Sequence, residues 1–159
     1  MYKLRKASKR DSAGISKLTQ KFSTTLSRSP KEILRLAGNF YVVENQNGKM
    51  IGCCGFKVWD NDAEIISLIV NKPYQGRGVA KKLLKGIIGQ LKKTKNVKYI
   101  FALATSDVAQ RIFIPAGFIP AGIQMFNQKV AKDCKRCRKN KLNSKNQYLC
   151  DEIALLYNQ

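Results

Sequence analysis

The sequence contains no histidine and carries little acidic charge. Ten Asp and Glu residues stand against thirty Lys and Arg among 159 residues, which gives a formal net charge of +20. A surface of this charge attracts nucleic acid, phosphorylated cofactors and acidic metabolites without choosing among them. A solvated basic surface with no specific partner explains the same composition, so that alternative stays open.

Long apolar runs are also missing. No stretch approaches the roughly 18 consecutive apolar residues of a membrane span, and the start, "MYKLRKASKR", lacks the apolar core of a secretory signal. We therefore expect a cytoplasmic protein with no membrane partner. The length fits a single domain over residues 1–159, and 44% hydrophobic residues can build a core without disulfides or metals.

The hydrophobic pattern of the first half predicts alternating strands and helices. A strand in "MYKLRKA" precedes a helix that Asp11 caps. A second helix begins at Ser29, with a capping box to Glu32, and stops near Gly38. Two strands then flank Asn47-Gly48, a dipeptide whose tolerance of positive φ suits a tight hairpin.

The stretch "YQGRGVAKKLL", residues 74–84, follows the buried strand predicted in "AEIISLIV". Gly76 and Gly78 let the backbone approach a ligand, and a helix beginning there directs unpaired N–H groups and its positive dipole end at that ligand. The spacing predicts an anion-binding loop, although a glycine turn required only for geometry is the alternative. The apolar face of the helix is predicted to carry Ala80, Leu83, Leu84, Ile87, Ile88 and Leu91.

The second half is predicted to add a strand in "VKYIFALAT" and a short helix in "SDVAQRIFI", broken near Pro115. Two further strands are expected in "GFIPAGI" and "CDEIALLY". Between these strands, residues 129–147 show no apolar period and are rich in Lys and Arg. We expect a long basic loop, the basic excursion, at about 129–150.

Three cysteines lie in or beside the basic excursion. Cys134 and Cys137 form a C-x-x-C pair, and Cys150 precedes the last strand. Three thiolates suggest zinc, but a closed site needs a fourth ligand, which without histidine would be Asp133, Asp151, Cys53, Cys54 or a residue of a partner chain. A reversible disulfide and reduced thiols are the alternatives, so zinc stays open and no metal ligand is assigned.

The residues "QGRGVA", 75–80, resemble the Gln/Arg-x-x-Gly-x-Gly/Ala acetyl-coenzyme A signature of the GNAT N-acetyltransferase superfamily. The stretches "LSRSPKEILRLAGNFYVVENQNGKMIGCCGF" and "IFALAT", and "DCKRC" with "CDEIAL", resemble amino-acid N-acetyltransferases of the N-acetylglutamate synthase type. The resemblance implies an α+β GNAT (acyl-CoA N-acyltransferase) fold. This fold has three α/β/α layers around a mixed, mostly antiparallel sheet that is splayed after the fourth strand.

The resemblance also implies acetyl-coenzyme A as the cosubstrate. Its pantetheine arm would pair with Leu68, Ile69 and Val70 in the manner of an added strand. Its pyrophosphate would lie on backbone N–H groups at the helix start, and exposed cations would steady the phosphates. The residues implied there are Gln75, Gly76, Arg77, Gly78, Val79, Ala80 and Lys81.

The implied reaction is direct transfer of the acetyl group from the thioester to a neutral amine, which requires a base. Glu64 is the candidate base, because six strand steps, about 20 Å, separate it from Val70 and match the span of the pantetheine arm. An exposed or ion-paired strand residue is the alternative for Glu64. "SDVAQRIFIPA" lacks the tyrosine common in the family, so Ser106, ahead of Thr105, is the candidate acid for the leaving thiolate.

Arg28 is the candidate for substrate binding. It directly precedes the helix that Ser29 caps, and a guanidinium beside a helix start suits a carboxylate. The resemblance implies the same role, with a small acidic amino acid, glutamate first, as the acceptor. Lys129 or Lys132 would supply a second cation.

Several alternatives to this acceptor stay open. Arg28 is otherwise one of many solvated arginines. The acceptor is otherwise an amine of a protein, a polyamine or an RNA-associated molecule. A non-specific nucleic-acid-binding module and a homodimer also remain compatible with the sequence.

Overall fold

Seven strands form one sheet in the computed structural model, which describes residues 2–22, 25–137, 139–147 and 149–158. The order across the sheet is β1-β2-β3-β4-β5-β7-β6. The pairs β1–β2, β2–β3, β5–β7 and β6–β7 are antiparallel, as predicted for most of the sheet. The strands are β1 (Lys3–Lys6), β2 (Phe40–Glu44), β3 (Met50–Trp59), β4 (Asp62–Val70), β5 (Tyr99–Thr105), β6 (Phe118–Ala121) and β7 (Glu152–Tyr157).

Five α-helical segments lie between these strands in the part of the chain described. The short α4 continues as a π-helical turn at Ala109–Phe113 and a 3-10 turn at Ile114–Ala116. None of the described helices is both long enough and apolar enough to cross a bilayer. The segments are α1 (Ser12–Lys21), α2 (Pro30–Leu36), α3 (Val79–Leu91), α4 (Ser106–Val108) and α5 (Asn127–Lys132).

The chain divides into two compact units, and the first comprises Met1–Lys57 and Ile65–Val97. Its core packs α1 and α2 against the central strands through Ile15, Leu18, Ile33, Phe40, Val42, Cys53, Ile66 and Ile69. Helix α3 buries the predicted apolar face with one correction at its start. Ala80 is only half-buried and Val79 takes its place in the core, because the helix begins at Val79 itself.

Asp11 is the N-cap residue of α1, as predicted, but its side chain makes no capping hydrogen bond. Its carboxylate instead accepts two hydrogen bonds from the guanidinium of Arg5, both 2.8 Å long, and one from the backbone N–H of Ser8. Arg5 also donates to Glu44 on β2, at 2.6 and 2.8 Å. The arginine therefore connects β1, β2 and the turn before α1.

The capping box of α2 forms only in part. Ser29 Oγ accepts from the backbone N–H of Glu32 at 3.2 Å, as predicted, but the Glu32 side chain pairs with Arg28 instead of reaching back to Ser29. The helix ends at Leu36, and Gly38 lies within the 3-10 turn that follows. The predicted hairpin is present, and Gly48 alone of its turn dipeptide adopts a positive φ, of 71°.

The second unit comprises Val58–Glu64 and Lys98–Gln159. Phe101 and Phe126 stack at its centre with ring centroids 3.9 Å apart, beside buried Trp59 and Ala154. The predicted irregular start of the basic excursion is wrong. Helix α5 covers Asn127–Lys132, because Phe126 and Lys129 are buried and give this segment an inward face that its polar composition hides.

We expect Asp11→Asn to lower the free energy of unfolding at pH 7 by about 1–2 kcal/mol, since Arg5 loses a charged acceptor. Hydrogen bonds from Arg5 hold the pKa of the Asp11 carboxyl well below its usual range. A depressed folded pKa contributes stability above the unfolded value, near 3.9, and that stability is lost as the pH falls towards the folded value. Urea unfolding from pH 7 downwards measures the difference, which should shrink below about pH 4.

Asp107→Asn is the matched control, because Asp107 pairs with Arg111 while both side chains are more than two-thirds exposed. Its effect should stay below about 0.5 kcal/mol. A difference between wild type and Asp11→Asn that is unchanged down to about pH 3 would contradict the assignment.

Candidate active site

The loop between β4 and α3 adopts a conformation that glycine favours. Gly76 and Gly78 have φ values of 72° and 77°, in the left-handed region that other residues rarely enter. A Cβ at either position would meet no atom within 4 Å. The backbone angle, and not crowding inside the protein, therefore requires glycine here, and the space in front of the loop is open.

The start of α3 offers backbone donors to that open space. Gly78 is the N-cap residue, and its carbonyl accepts from the N–H of Lys82 at 3.0 Å. The N–H groups of residues 79–81 precede that bond and have no intrahelical acceptor. A helix of 13 residues directs its positive dipole end at the same place. This geometry fits a phosphate group.

The predicted cofactor residues divide into those that hold the loop and those that face solvent. Gln75 fixes the loop to β4, because its Nε2 donates to the carbonyl of Val70 at 2.9 Å. Val79 is buried and anchors α3. Arg77 and Lys81 are exposed, as cations that meet phosphates must be, and Gly76 and Gly78 are exposed between them.

The predicted pantetheine edge of β4 contributes backbone more than side chains. Ile69 and Val70 are buried, and Leu68 is half-buried. The carbonyl of Val70 accepts from Gln75, which ties the end of this edge to the loop. The pairing of an extended ligand along β4 stays a prediction.

Arg28 is a buried, fixed guanidinium and not a solvated one, which overturns the alternative left open by the sequence. Its residue is 6% exposed. Nη1 donates to Glu32 Oε1 at 2.6 Å, and Nε donates to Ser67 Oγ at 3.3 Å. Its backbone N–H donates to Thr19 Oγ1 at 3.0 Å, and its carbonyl accepts from Ser16 Oγ at 2.6 Å.

These contacts leave donors of Arg28 available. A guanidinium has five N–H groups, and the hydrogen bonds to side chains within the described ranges use one on Nε and one on Nη1. Among the described residues, no side chain accepts from Nη2, so its two N–H groups remain for a ligand such as a carboxylate. The predicted help from the α2 dipole is weak, because α2 has only seven residues and Ser29 occupies the N–H of Glu32.

Glu64 is the ion-paired strand residue that the sequence analysis gave as its alternative. The residue is 5% exposed. Its Oε2 accepts from Trp59 Nε1 at 2.8 Å, and its Oε1 lies 2.9 Å from Lys129 Nζ. Lys129 also pairs with Asp133 at 3.0 Å. A catalytic role for Glu64 stays a prediction that these contacts must accommodate.

Lys129 is therefore not the free second cation that the sequence suggested. Its side chain is 5% exposed and lies between two carboxylates, whereas Lys132 on the same helix is exposed. Burial lowers the pKa of Lys129, but Glu64 and Asp133 outweigh it and hold that pKa above its ordinary value. The ammonium stays charged.

Ser106 and the cysteines are less constrained. Ser106 is exposed at the first position of α4, and its role as an acid stays a prediction.

All five cysteines are free thiols. Within the ranges the structure describes, no three Cys, His, Asp or Glu side chains are placed to hold a metal ion. Burial raises the pKa of Cys53 to about 12, so this thiol is unreactive at neutral pH.

Three residues of these clusters were not identified from the sequence. Trp59 precedes Glu64 by five residues across the turn between β3 and β4, so the hairpin pattern could have paired the two. Ser67 has a φ of 51° inside a strand, and nothing in its sequence context signals that conformation. Glu32 was predicted to complete the capping box. Its actual partner, Arg28, is identified only by the fold.

Comparison with known proteins finds relatives in sequence. A sequence model of the acetyltransferase (GNAT) family matches residues 4–118. An uncharacterised N-acetyltransferase of Chlorobaculum tepidum is 27% identical over 157 residues, covering 96% of this chain and 94% of the relative. An amino-acid acetyltransferase of Shewanella oneidensis is 29% identical over 131 residues, covering 80% of this chain and 29% of the relative.

A solved structure extends the comparison to the whole fold. N-acetylglutamate synthase of Neisseria gonorrhoeae, in complex with coenzyme A and N-acetyl-glutamate, superposes with a TM-score of 0.78 at 22% identity. The match covers 99% of this chain and 35% of the synthase chain. The chain therefore belongs to the acetyltransferase (GNAT) family and has its fold. It is an N-acetyltransferase, and acetyl-coenzyme A is its cosubstrate.

We expect Gly78→Glu to weaken acetyl-coenzyme A binding at least tenfold, which corresponds to about 1.4 kcal/mol. A glutamate at a φ of 77° is strained, and its carboxylate would repel a pyrophosphate at the same place. Isothermal titration calorimetry measures the affinity. Gly89→Glu is the matched control, because Gly89 is exposed further along α3, outside the positive-φ glycines. Equal affinity of the two variants would remove the loop from the binding site.

Proposed function

We propose that the chain transfers the acetyl group of acetyl-coenzyme A to the α-amine of a small acidic amino acid, with glutamate as the first candidate. The observation that carries the proposal is Arg28, a buried guanidinium that Glu32 and Ser67 hold and whose Nη2 donates to no side chain within the described ranges. The curated relative from Shewanella oneidensis, an amino-acid acetyltransferase, supports the same acceptor class.

The surroundings of Arg28 suit a carboxylate ligand. A guanidinium held in advance loses little side-chain entropy when the ligand binds, so more of the contact energy becomes affinity. Glu32 balances the guanidinium charge while no acceptor is bound, and its side chain is 45% exposed. Water therefore screens the repulsion between the half-exposed Glu32 and an incoming carboxylate. The attraction between that carboxylate and the buried Arg28 is screened less.

Glu64 is proposed as the base that takes the proton of the attacking amine, directly or through a water molecule. An amine attacks the thioester only when it is neutral, and a positioned carboxylate accelerates that deprotonation. Ser106 is the proposed donor to the leaving thiolate. A coenzyme thiol with a pKa near 8.5–9 leaves readily, so this step needs little help.

We expect Arg28→Ala to lower kcat/KM for glutamate roughly thirty- to a thousandfold, as follows from losing about 2–4 kcal/mol of a charge-assisted contact. The affinity for acetyl-coenzyme A should change less than twofold. Steady-state kinetics of free thiol release measure the first quantity, and calorimetry measures the second. Circular dichroism melting shows whether the variant, which removes a buried residue, remains folded.

Arg35→Ala is the matched control for Arg28, because Arg35 is an exposed arginine on α2. It should keep wild-type kcat/KM. Arg28→Lys preserves the charge but not the two-donor edge, so it should recover only part of the lost rate. If folded Arg28→Ala acetylates glutamate as well as the wild type does, the role of Arg28 is wrong.

We expect Glu64→Gln to reduce kcat at neutral pH by about 10²–10⁴-fold, the usual contribution of a general base. The loss should narrow as the pH rises towards the pKa of the free amine, because solvent then supplies the neutral acceptor. The measurement is the pH–rate profile with saturating acetyl-coenzyme A. An unaltered rate and pH dependence would show that Glu64 is only structural.

An acceptor screen tests the acceptor class as a whole. Free thiol release is measured with acidic amino acids, neutral amino acids, polyamines and basic peptides. The net charge of +20 favours acidic acceptors over polyamines. Acetylation of basic peptides while every amino acid fails, together with retention on heparin, would move the proposal to a macromolecular acceptor.

A further inference from the structure

We infer that Lys129 is a positioning residue that holds the Glu64 carboxylate in its charged, directed state. The inference rests on the proposed role of Glu64 as the base. It also gives part of the basic excursion a task inside the enzyme, because α5 carries Lys129 into the interior of its unit.

The first step of the argument is the orientation of the carboxylate. Each oxygen of Glu64 has its own donor, Trp59 Nε1 at 2.8 Å and Lys129 Nζ at 2.9 Å. Two donors on two oxygens fix the rotation of the carboxylate plane. Lys129 Nζ also lies 5.6 Å from the centre of the Trp59 ring, which ties the two donors to each other.

The second step concerns charge. The side chains of Glu64 and Lys129 are 6% and 5% exposed. Burial alone would favour the protonated, neutral carboxyl, which cannot accept a proton. An ammonium at 2.9 Å favours the charged form instead. Lys129 thus supplies the positive charge that a buried carboxylate needs as its partner.

The third step explains why pairing with Lys129 leaves Glu64 able to accept a proton. Lys129 shares its charge with Asp133, 3.0 Å away on the next turn of the chain. One ammonium between two carboxylates leaves the cluster with a net negative charge, so Glu64 is attracted less strongly than in an isolated pair. Among the described residues, the Cys134 thiol, after α5, also interacts electrostatically with Glu64, and Asp62 lies two residues before Glu64 on β4.

The test replaces Lys129 by methionine, which keeps length and removes charge. Lys129→Met should raise the apparent pKa of the acidic limb of the kcat/KM profile by about one unit or more, because the buried carboxylate then binds a proton more readily. Lys129→Arg should return the apparent pKa of the acidic limb most of the way to its wild-type value. Lys135→Met, at an exposed lysine of the same excursion, should leave it in place.

A second readout is independent of activity. The chain has only four glutamates, so ¹³C-carboxyl labelling of glutamate gives a simple spectrum in which Glu64→Gln assigns the Glu64 signal. That signal should titrate at a higher pH in Lys129→Met than in wild type. Asp133→Asn should shift it the opposite way, because Lys129 then serves Glu64 alone.

The outcomes separate the inference from the proposed function. If folded Lys129→Met leaves both the limb and the Glu64 signal unmoved, the inference is wrong, whatever the role of Glu64. If Glu64→Gln keeps the wild-type rate while the signal shifts in Lys129→Met, the proposed base fails but the ionisation of Glu64 by Lys129 stands. Should Lys129→Met not fold, the opposite shift in Asp133→Asn confirms the inference and its absence overturns it.

Discussion

A charge removed from water must find a partner inside the protein, and this constraint organises the candidate site. The buried charged residues in the described ranges are Arg28, Glu64 and Lys129, and each is paired. An unpaired charge at any of these positions would cost more than a small domain tolerates. Each compact unit holds one of these pairs: Arg28 with the half-exposed Glu32 in the first, and Glu64 with Lys129, both buried, in the second.

Strand β4 carries candidate residues of both compact units. It carries Glu64, whose oxygens meet Trp59 and Lys129, and Ser67, whose hydroxyl supports Arg28. Its last residue accepts from Gln75, which positions the glycine loop. The left-handed backbone of Ser67 interrupts the regular strand between these groups, and strained residues of this kind collect at functional sites.

The basic residues have different roles in the fold: some are buried or paired, and others are exposed. Lys129 is an interior cation, Lys139 pairs with Asp151, and Arg5 joins two strands through acidic partners. Arg77 and Lys81 stay exposed beside the open loop. The net charge of +20 is thus partly structural and partly a field that favours anionic ligands.

Local patterns predicted the elements with few errors, because hydrophobic period, turn chemistry and glycine placement act over short distances. The strand–loop–helix order around "QGRGVA" was identified from the sequence, since positive φ and a helix start depend on neighbouring residues alone. Where local rules failed, a distant partner competed. The Asp11 carboxylate accepts from Arg5 instead of capping α1, and the Glu32 carboxylate pairs with Arg28 instead of completing the capping box. Helix α5 forms around the buried face that Phe126 and Lys129 provide.

The sequence by itself determined the family, and it predicted the anion loop and the candidate roles of Arg28 and Glu64. Only the tertiary structure decided their states. Arg28 could have been solvated, and Glu64 could have been exposed, until the positions of Ser67, Trp59 and Lys129 were known. The physical reason is that ionisation and orientation depend on burial and on partners that lie 5 to 65 residues away along the chain.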